Sequence, residues 1–170
     1  MVELEPIGAP ERPVLENLFQ LYVHDFSDFM ASQVELGDDG RFPPYPPLAA
    51  YFEGRHDHRP FLIRVDENLA GFVLVNRTSH SGLPLDWNVA EFFVVRKYRR
   101  GGIGTQAAHL TWDMLSGRWE AAVARLNTPA LGFWRRAVAK YPPACEVEEL
   151  DRNDELWNGP VLRFKVSDER

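Results

Sequence analysis

The chain contains very little cysteine and no long apolar run. Cys145 is the single cysteine among 170 residues, so an intrachain disulfide is excluded. No histidine or asparagine pattern beside Cys145 would activate its thiol, and we expect a structural residue there. No charged-then-apolar leader opens the sequence, and no apolar run reaches the length of a membrane span. These absences predict a cytoplasmic protein without a membrane partner.

Positive charge is scarce overall and concentrated in one place. The formal net charge is -6 and the sequence pI is about 5.4, so we predict no nucleic-acid partner. The stretch 96–100 nevertheless holds four basic side chains, those of Arg96, Lys97, Arg99 and Arg100. In an otherwise acidic chain, this cluster indicates one anionic ligand, and the alternative interpretation is a solvated loop.

Two common phosphate-binding signatures are missing. The sequence contains neither G-x-x-x-x-G-K-[ST] nor G-x-G-x-x-G, which argues against a P-loop nucleotidase and a dinucleotide-binding fold. What remains is R-x-x-G-x-G, formed by Arg99, Gly102 and Gly104. A strand that leads through glycines into a helix directs several backbone N–H groups at one point, which suits a phosphate. The alternative is a glycine-rich connection that binds nothing.

A metal site is not predicted. His56 and His58 lie close together in "RHDHR", but two ligands in a loop lack the third ligand that a catalytic zinc site needs.

Hydrophobic periodicity predicts a single domain over residues 1–170 with the element order β-α-α-β-β-β-α-β-α-β-β. Strands are predicted at MVELEPI, PFLIRV, LAGFVLVNRT, WNVAEFFVV, AAVARL, CEVEEL and GPVLRFKV. Helices are predicted from Glu11 to Met30, in LAAYFEG, from Gly102 to Leu115 and in PALGFWRRAVAKY. Because hairpins interrupt the crossovers, we expect an α/β fold with a mixed sheet and helices on both faces.

The segment "VVRKYRRGGIGTQAA" resembles the central motif of the GNAT superfamily of acyl-CoA-dependent N-acetyltransferases. That motif is a strand, then [QR]-x-x-G-x-[GA], then a helix. The hairpin "FLIRVDENLAGFVLV" and the segment "ARLNTPALGFWRR" resemble the units before and after it, so the resemblance covers residues 61–137. It implies the acyl-CoA N-acyltransferase fold, with a central, mostly antiparallel mixed sheet. It also implies acetyl-CoA as co-substrate, and family members are often homodimers.

The resemblance also assigns cofactor contacts. The pyrophosphate would lie on the turn and helix start formed by Arg99, Arg100, Gly101, Gly102, Ile103, Gly104 and Thr105. Val94 and Val95 would pair with the pantetheine arm, and the Val94 N–H would polarise the thioester carbonyl. Asn127 matches a residue that hydrogen-bonds the cofactor, although a helix N-cap before Pro129 is the alternative.

Transfer to an amine requires a proton acceptor, and Glu91 within the strand "VAEFFVV" is the best candidate. The alternative is that Glu91 faces solvent. Many family members carry a tyrosine that protonates the departing thiolate where this chain has Trp134, and an indole cannot do so. We therefore count Trp134 with the cofactor contacts. Tyr141 is the leading candidate for the acid, with Tyr98, water, an unprotonated thiolate or lost activity as alternatives.

The first predicted helix carries a polar group that would suit a cationic acceptor. Tyr22, Asp25 and Asp28 are the candidate acceptor contacts, and a solvated helix face is the alternative. We therefore predict an acetyl-CoA-dependent N-acetyltransferase acting on a primary amine of a small molecule or peptide. A non-catalytic acyl-CoA-binding or sensory module, and a nucleotide-phosphate binder, are the alternative functions.

Overall fold

The computed structural model describes residues 1–29 and 34–167. Within these residues, the three α-helices are α1 (Arg12–Phe26), α2 (Ile103–Met114) and α3 (Thr128–Ala139). The strands are β1 (Val2–Pro6), β2 (Arg59–Val65), β3 (Asn68–Asn76), β4 (Trp87–Val94), β5 (Gly117–Ala122), β6 (Ala144–Asn153) and β7 (Asn158–Val166). Short 3-10 helices cover Ala9–Glu11, Pro46–Phe52 and Arg96–Tyr98. The predicted element order is confirmed, with Pro46–Phe52 in the place of the second helix.

All seven strands form one sheet in the order β1-β2-β3-β4-β5-β7-β6. Neighbouring strands are antiparallel except β4 and β5, which run parallel. The predicted mixed, mostly antiparallel sheet is therefore confirmed. No helix of the described ranges has the length and apolar character needed to cross a bilayer.

The sheet separates two hydrophobic cores. One core joins α1 and the 3-10 helix Pro46–Phe52 to the sheet, and the other joins α2 and α3 to the opposite face. Strand β3 shows how the sequence achieves this, because Phe72 and Leu74 enter the first core whereas Val73 and Val75 enter the second. Side chains alternate between the faces of a strand, so a continuous apolar run fills both cores at once.

Two elements differ most from their predicted bounds. Helix α1 ends at Phe26, and the predicted helix end at Met30 lies outside the described residues. The strand predicted at "AAVARL" begins and ends four residues earlier in the structure, where β5 runs from Gly117 to Ala122. The charged Glu120 interrupts its apolar pattern although this side chain is fully buried beside Arg163, its partner across the pairing of β5 with β7.

Candidate active site

The sheet opens between β4 and β5. These two strands pair only through the first two residues of β4, Trp87 with Trp119 and Asn88 with Glu120 in the middle of β5. Beyond this point β4 continues to Val94 while paired only with β3. The carboxyl-terminal half of β4 therefore presents a free backbone edge to the opening.

Val94 directs its N–H group toward this opening. The next residue, Val95, donates its N–H to the Ala70 carbonyl of β3 at 2.8 Å. Because backbone groups alternate in direction along a strand, the N–H and carbonyl of Val94 point away from β3. Of the two valines expected to meet the pantetheine arm, Val94 thus offers a donor at this edge, whereas the Val95 N–H is already bonded within the sheet.

The glycine turn leads directly into the N-terminus of α2. Gly102 is the N-cap residue with φ of +81°, a left-handed conformation that is strained for any residue with a Cβ. No side chain caps this helix, and its first intrahelical bond runs from the Gln106 N–H to the Gly102 carbonyl. The N–H groups of Ile103, Gly104 and Thr105 therefore remain free of helical partners and can hold an anion.

Gly104 has a packing role in addition to its place in the turn. A Cβ on this residue would lie 3.1 Å from a ring carbon of Phe133 on α3. The Phe133 ring in turn packs against Phe92 of β4, with 5.6 Å between ring centroids. The glycine therefore lets α2 and α3 approach each other beside the opening.

The arginines of the basic cluster have different partners. Arg96 and Arg99 both form ion pairs with Asp25 of α1, and Arg99 Nε also donates to the Val94 carbonyl at 2.6 Å. Burial alone would raise the pKa of Asp25, but hydrogen bonds from Arg99 and Arg96 outweigh it and lower the pKa. Arg100 is exposed and forms no ion pair with any residue of 1–29 or 34–167. Arg99 thus links α1 to β4. Arg100, in contrast, is free to bind an external anion.

An extra residue in β4 determines where Glu91 faces. The pairing with β3 passes from Val75 with Val89 to Leu74 with Glu91, so that Ala90 is inserted as a β-bulge. Strict alternation would put Val89 and Glu91 on the same face of the sheet. The bulge instead leaves Val89 in the core of α2 and α3 and turns Glu91 toward α1.

The Glu91 carboxylate accepts a hydrogen bond on each of its oxygens. Tyr22 of α1 donates to Oε2 at 2.5 Å, and Tyr45 donates to Oε1 at 2.9 Å. Burial raises the pKa of Glu91, while the hydrogen bonds from Tyr22 and Tyr45 act in the opposite direction without cancelling it. The alternative of a solvent-facing Glu91 does not apply, because the carboxylate lies between two phenols.

The three predicted acceptor contacts do not form one group. Tyr22 contacts Glu91, whereas Asp25 is held by the arginines of the basic cluster. Asp28 is exposed in the turn that follows α1. Only Tyr22 is therefore brought together with the candidate base.

The N-cap residue of α3 and one residue within this helix were predicted to contact the cofactor. Asn127 caps α3, since its side chain accepts a hydrogen bond from the Ala130 N–H at 3.3 Å. Trp134 is 7% exposed and packs against Phe92 and Trp112. Asn127 thus caps α3, its contact with the cofactor stays a prediction, and Trp134 packs between α3 and β4.

Tyr141 lies on the other side of the sheet from Glu91. Its hydroxyl donates to Asp113 of α2 at 2.8 Å, and its ring belongs to the core of α2 and α3. The structure therefore does not bring the candidate acid together with the candidate base. Tyr98, the other tyrosine considered, packs against the same core as Tyr141.

Two tyrosines near Glu91 were missed in the sequence. Tyr45 lies within "FPPYPP" and Tyr51 in the following 3-10 helix, where burial and the nearby Glu91 carboxylate raise the pKa of Tyr51 above its ordinary value. The one feature of the sequence that could have indicated Tyr45 as a site residue is its position between prolines in a long loop. No three histidine, cysteine or acidic side chains of the described ranges are grouped so that they would hold a metal.

A sheet opened between two parallel strands, with a glycine turn and an uncapped helix N-terminus beside the opening, defines an acyl-CoA N-acyltransferase fold. The sequence model of the acetyltransferase (GNAT) family matches residues 15–138. The chain therefore belongs to the GNAT family of acetyltransferases, whose members use acetyl-CoA and transfer its acetyl group to an acceptor amine. No curated protein sequence matches the chain significantly.

Solved structures of similar fold include an acetyltransferase from Thermus thermophilus, at 16% identity and a TM-score of 0.67, covering 96% of this chain and 95% of that one. A spermidine N-acetyltransferase mutant from Vibrio cholerae has 12% identity and a TM-score of 0.58, covering 96% and 94% of the two chains. The PaiA N-acetyltransferase from Thermoplasma acidophilum, in complex with coenzyme A, has 9% identity and a TM-score of 0.57, covering 97% and 99%. At these identities the likeness concerns the fold alone.

Proposed function

We propose that this protein transfers an acetyl group from acetyl-CoA directly to a primary amine of a small molecule or peptide, with Glu91 as the proton acceptor. The observation that carries the proposal is the bulge at Ala90. It turns a half-buried carboxylate toward α1 from the carboxyl-terminal half of β4, which borders the opening beside β5. An activated serine or cysteine is not needed for this reaction, because the amine attacks the thioester itself.

The residues around the opening fit acetyl-CoA as a substrate. The free N–H groups at the start of α2 suit a pyrophosphate, and the exposed Arg100 adds a charge-assisted donor. The unpaired edge of β4 suits the amide groups of the pantetheine arm, which hydrogen-bond as a strand would. A Val94 N–H directed into the opening suits the oxygen of a thioester carbonyl, which becomes negatively charged during attack.

Glu91 would accept the proton that the ammonium form of the acceptor must lose before attack. An acidic protein surface favours the approach of such a cation, since the net charge is -6. Trp134 does not supply an acid, so we propose that the thiolate leaves without a proton from that position.

Measuring thiol release from acetyl-CoA against a panel of primary amines tests the proposal directly. The panel consists of ethanolamine, putrescine, spermidine, amino acids and a short peptide with a free N-terminus. We expect release with at least one amine. Saturable binding of acetyl-CoA without release for any amine would favour the sensory module instead, and binding of ATP without binding of coenzyme A would favour a nucleotide-phosphate binder.

Replacing Gly102 by valine is expected to weaken acetyl-CoA binding at least roughly 30-fold, because one lost hydrogen bond to a charged group costs about 2 kcal/mol. A valine at φ of +81° would shift the turn and misdirect the N–H groups that follow. Calorimetric titration with acetyl-CoA measures the change. Gly54→Val is the matched control, because Gly54 has φ of +70° and open space around it but lies outside the opening. Equal affinity in the two variants would contradict the role given to the turn.

The pH dependence of activity follows from the environment of Glu91. Burial raises the pKa of Glu91 above the ordinary value of 4.5, and only the ionised carboxylate accepts a proton. We therefore expect kcat/KM for the amine to rise with pH through an apparent pKa above 4.5. Initial rates measured at saturating acetyl-CoA between pH 4 and 9, in roughly half-unit steps, give this profile. An acidic limb at or below the ordinary carboxyl value would argue against Glu91 as the base.

A further inference from the structure

Two phenol hydroxyl groups hydrogen-bond to the Glu91 carboxylate. Tyr22 occupies one of its oxygens and Tyr45 the other, so each of the two oxygens already carries a hydroxyl donor. The third nearby tyrosine is Tyr51. Its hydroxyl is buried and does not hydrogen-bond to Glu91. The titratable groups that face Glu91 are thus the tyrosines of α1, of the proline-rich segment and of the 3-10 helix that follows it.

Tyr22 and Tyr45 differ in accessibility. The Tyr22 ring packs against the rings of Phe19, Phe26, Phe72 and Phe93 on the α1 face of the sheet. Tyr45 is 37% exposed and stacks on Phe19, its one ring contact in residues 1–29 and 34–167, with 4.8 Å between ring centroids and 16° between the planes. A group that approaches the carboxylate from solvent therefore meets the Tyr45 hydroxyl more readily than that of Tyr22.

Glu91 and the Val94 N–H are well separated along β4. Glu91 and Val94 are three residues apart on one strand, and a strand rises about 3.3 Å per residue. Their backbones are thus separated by roughly 10 Å, and Glu91 turns its side chain toward α1. An amine placed to attack a thioester carbonyl at the Val94 N–H is therefore far from the Glu91 backbone, and a group that donates to the carboxylate would shorten the path of its proton.

We propose that Tyr45 is a further catalytic residue, which relays the proton of the acceptor ammonium to Glu91. This inference rests on the proposed acetyl transfer. In the step, the N–H bond of the ammonium breaks and its proton binds the Tyr45 oxygen, while the Tyr45 hydroxyl proton passes to Glu91 Oε1. The products are a neutral amine, a neutral Glu91 and an unchanged Tyr45, so charge and protons balance.

The two transfers are expected to occur together. Burial and the adjacent Glu91 carboxylate raise the pKa of Tyr45 above its ordinary value of 10.0, so a free phenolate is not populated on the way. A concerted relay has two protons in motion at the rate-limiting proton transfer. That property is measurable as a curved dependence of rate on the deuterium content of the solvent.

Tyr45→Phe tests the relay, since phenylalanine keeps the ring that stacks on Phe19 and removes only the hydroxyl. With the amine that reacts fastest in the panel, we expect kcat to fall at least about 100-fold, the lower end of the range that general acid–base groups contribute. We also expect the curved deuterium dependence of the wild type to become linear. Because both residues serve one step, adding Tyr45→Phe to Glu91→Gln should cause no further loss.

Two matched variants separate the relay from other roles of these phenols. Tyr51→Phe removes a buried neighbouring hydroxyl that does not bond Glu91, and should leave kcat and the deuterium dependence unchanged. Tyr22→Phe should retain the curved dependence. Wild-type kcat in Tyr45→Phe, or a curved dependence that is lost in Tyr22→Phe and kept in Tyr45→Phe, would overturn the inference while leaving the proposed transfer intact. No thiol release by the wild-type protein with any amine would instead contradict the transfer, and the relay with it.

Discussion

Replacing Glu91 by glutamine is expected to lower kcat for amine acetylation by about 10²–10⁴-fold, the range typical of a lost general base. The amide cannot accept the ammonium proton, yet it fills the same space between Tyr22 and Tyr45. Acetyl-CoA binding should be nearly unchanged, because the glycine turn and the β4 edge are not altered. Steady-state kinetics and calorimetry together measure this separation of chemistry from binding.

The stability of Glu91→Gln provides the control. A folded-state pKa above 4.5 means that Glu91 favours folding in its protonated form, and this contribution is lost as the pH rises through the folded pKa. At neutral pH the wild-type protein therefore bears the cost of a buried charge that glutamine lacks. We expect a Tm at or above that of the wild type. An inactive variant with a much lower Tm would show that Glu91 is needed for folding rather than for proton transfer.

Replacing Glu120 by alanine is expected to reduce the free energy of unfolding by about 3–5 kcal/mol, the usual loss when one partner of a buried ion pair is removed. Glu120 is fully buried and lies 3.2 Å from Arg163 Nε. Its carboxylate also accepts hydrogen bonds from the His80 and Ser81 N–H groups and from the Ser79 and Ser81 hydroxyls. With alanine at this position, the Arg163 guanidinium and the four donors would lose the carboxylate that they bind.

Chemical denaturation measured as a function of urea concentration gives this free energy. Glu149→Gln is the matched control, because Glu149 pairs with Arg135 on the surface, where the two side chains are 31% and 55% exposed. That change should cost at most about 1 kcal/mol. Similar losses in the two variants would contradict a special structural role for Glu120.

Local patterns in the sequence predict most of the fold. The β2–β3 hairpin, β4 and α2 follow from alternating or helical periodicity and from turn residues, which act over a few positions. These local patterns do not predict the bounds of β5, because its residue Glu120 is charged and yet buried. Its partner Arg163 is forty-three positions away in the sequence, and only the pairing of β5 with β7 brings the two together.

The candidate site is less predictable because it depends on distant contacts. The motif indicates that the glycine turn holds a phosphate, but it does not distinguish an arginine that ties α1 to β4 from one that remains exposed. The bulge at Ala90 breaks the alternation that would indicate the direction of Glu91. Tyr45 lies 46 residues from Glu91 in a segment without periodicity, so no local signal connects them.

Strand β4 alone carries both Glu91 and Val94, and the ladder with β3 fixes the interval between them. The proposed proton acceptor and the proposed contact of the thioester carbonyl therefore lie at a fixed spacing on one strand. The segment that covers Glu91 belongs instead to a separate, proline-rich stretch of chain before β2. Substitutions in that stretch at positions other than Tyr45 are therefore expected to change which amine is accepted without altering the spacing of Glu91 and Val94. Under the proposed function, acceptor choice can vary with the loop while the strand stays the same.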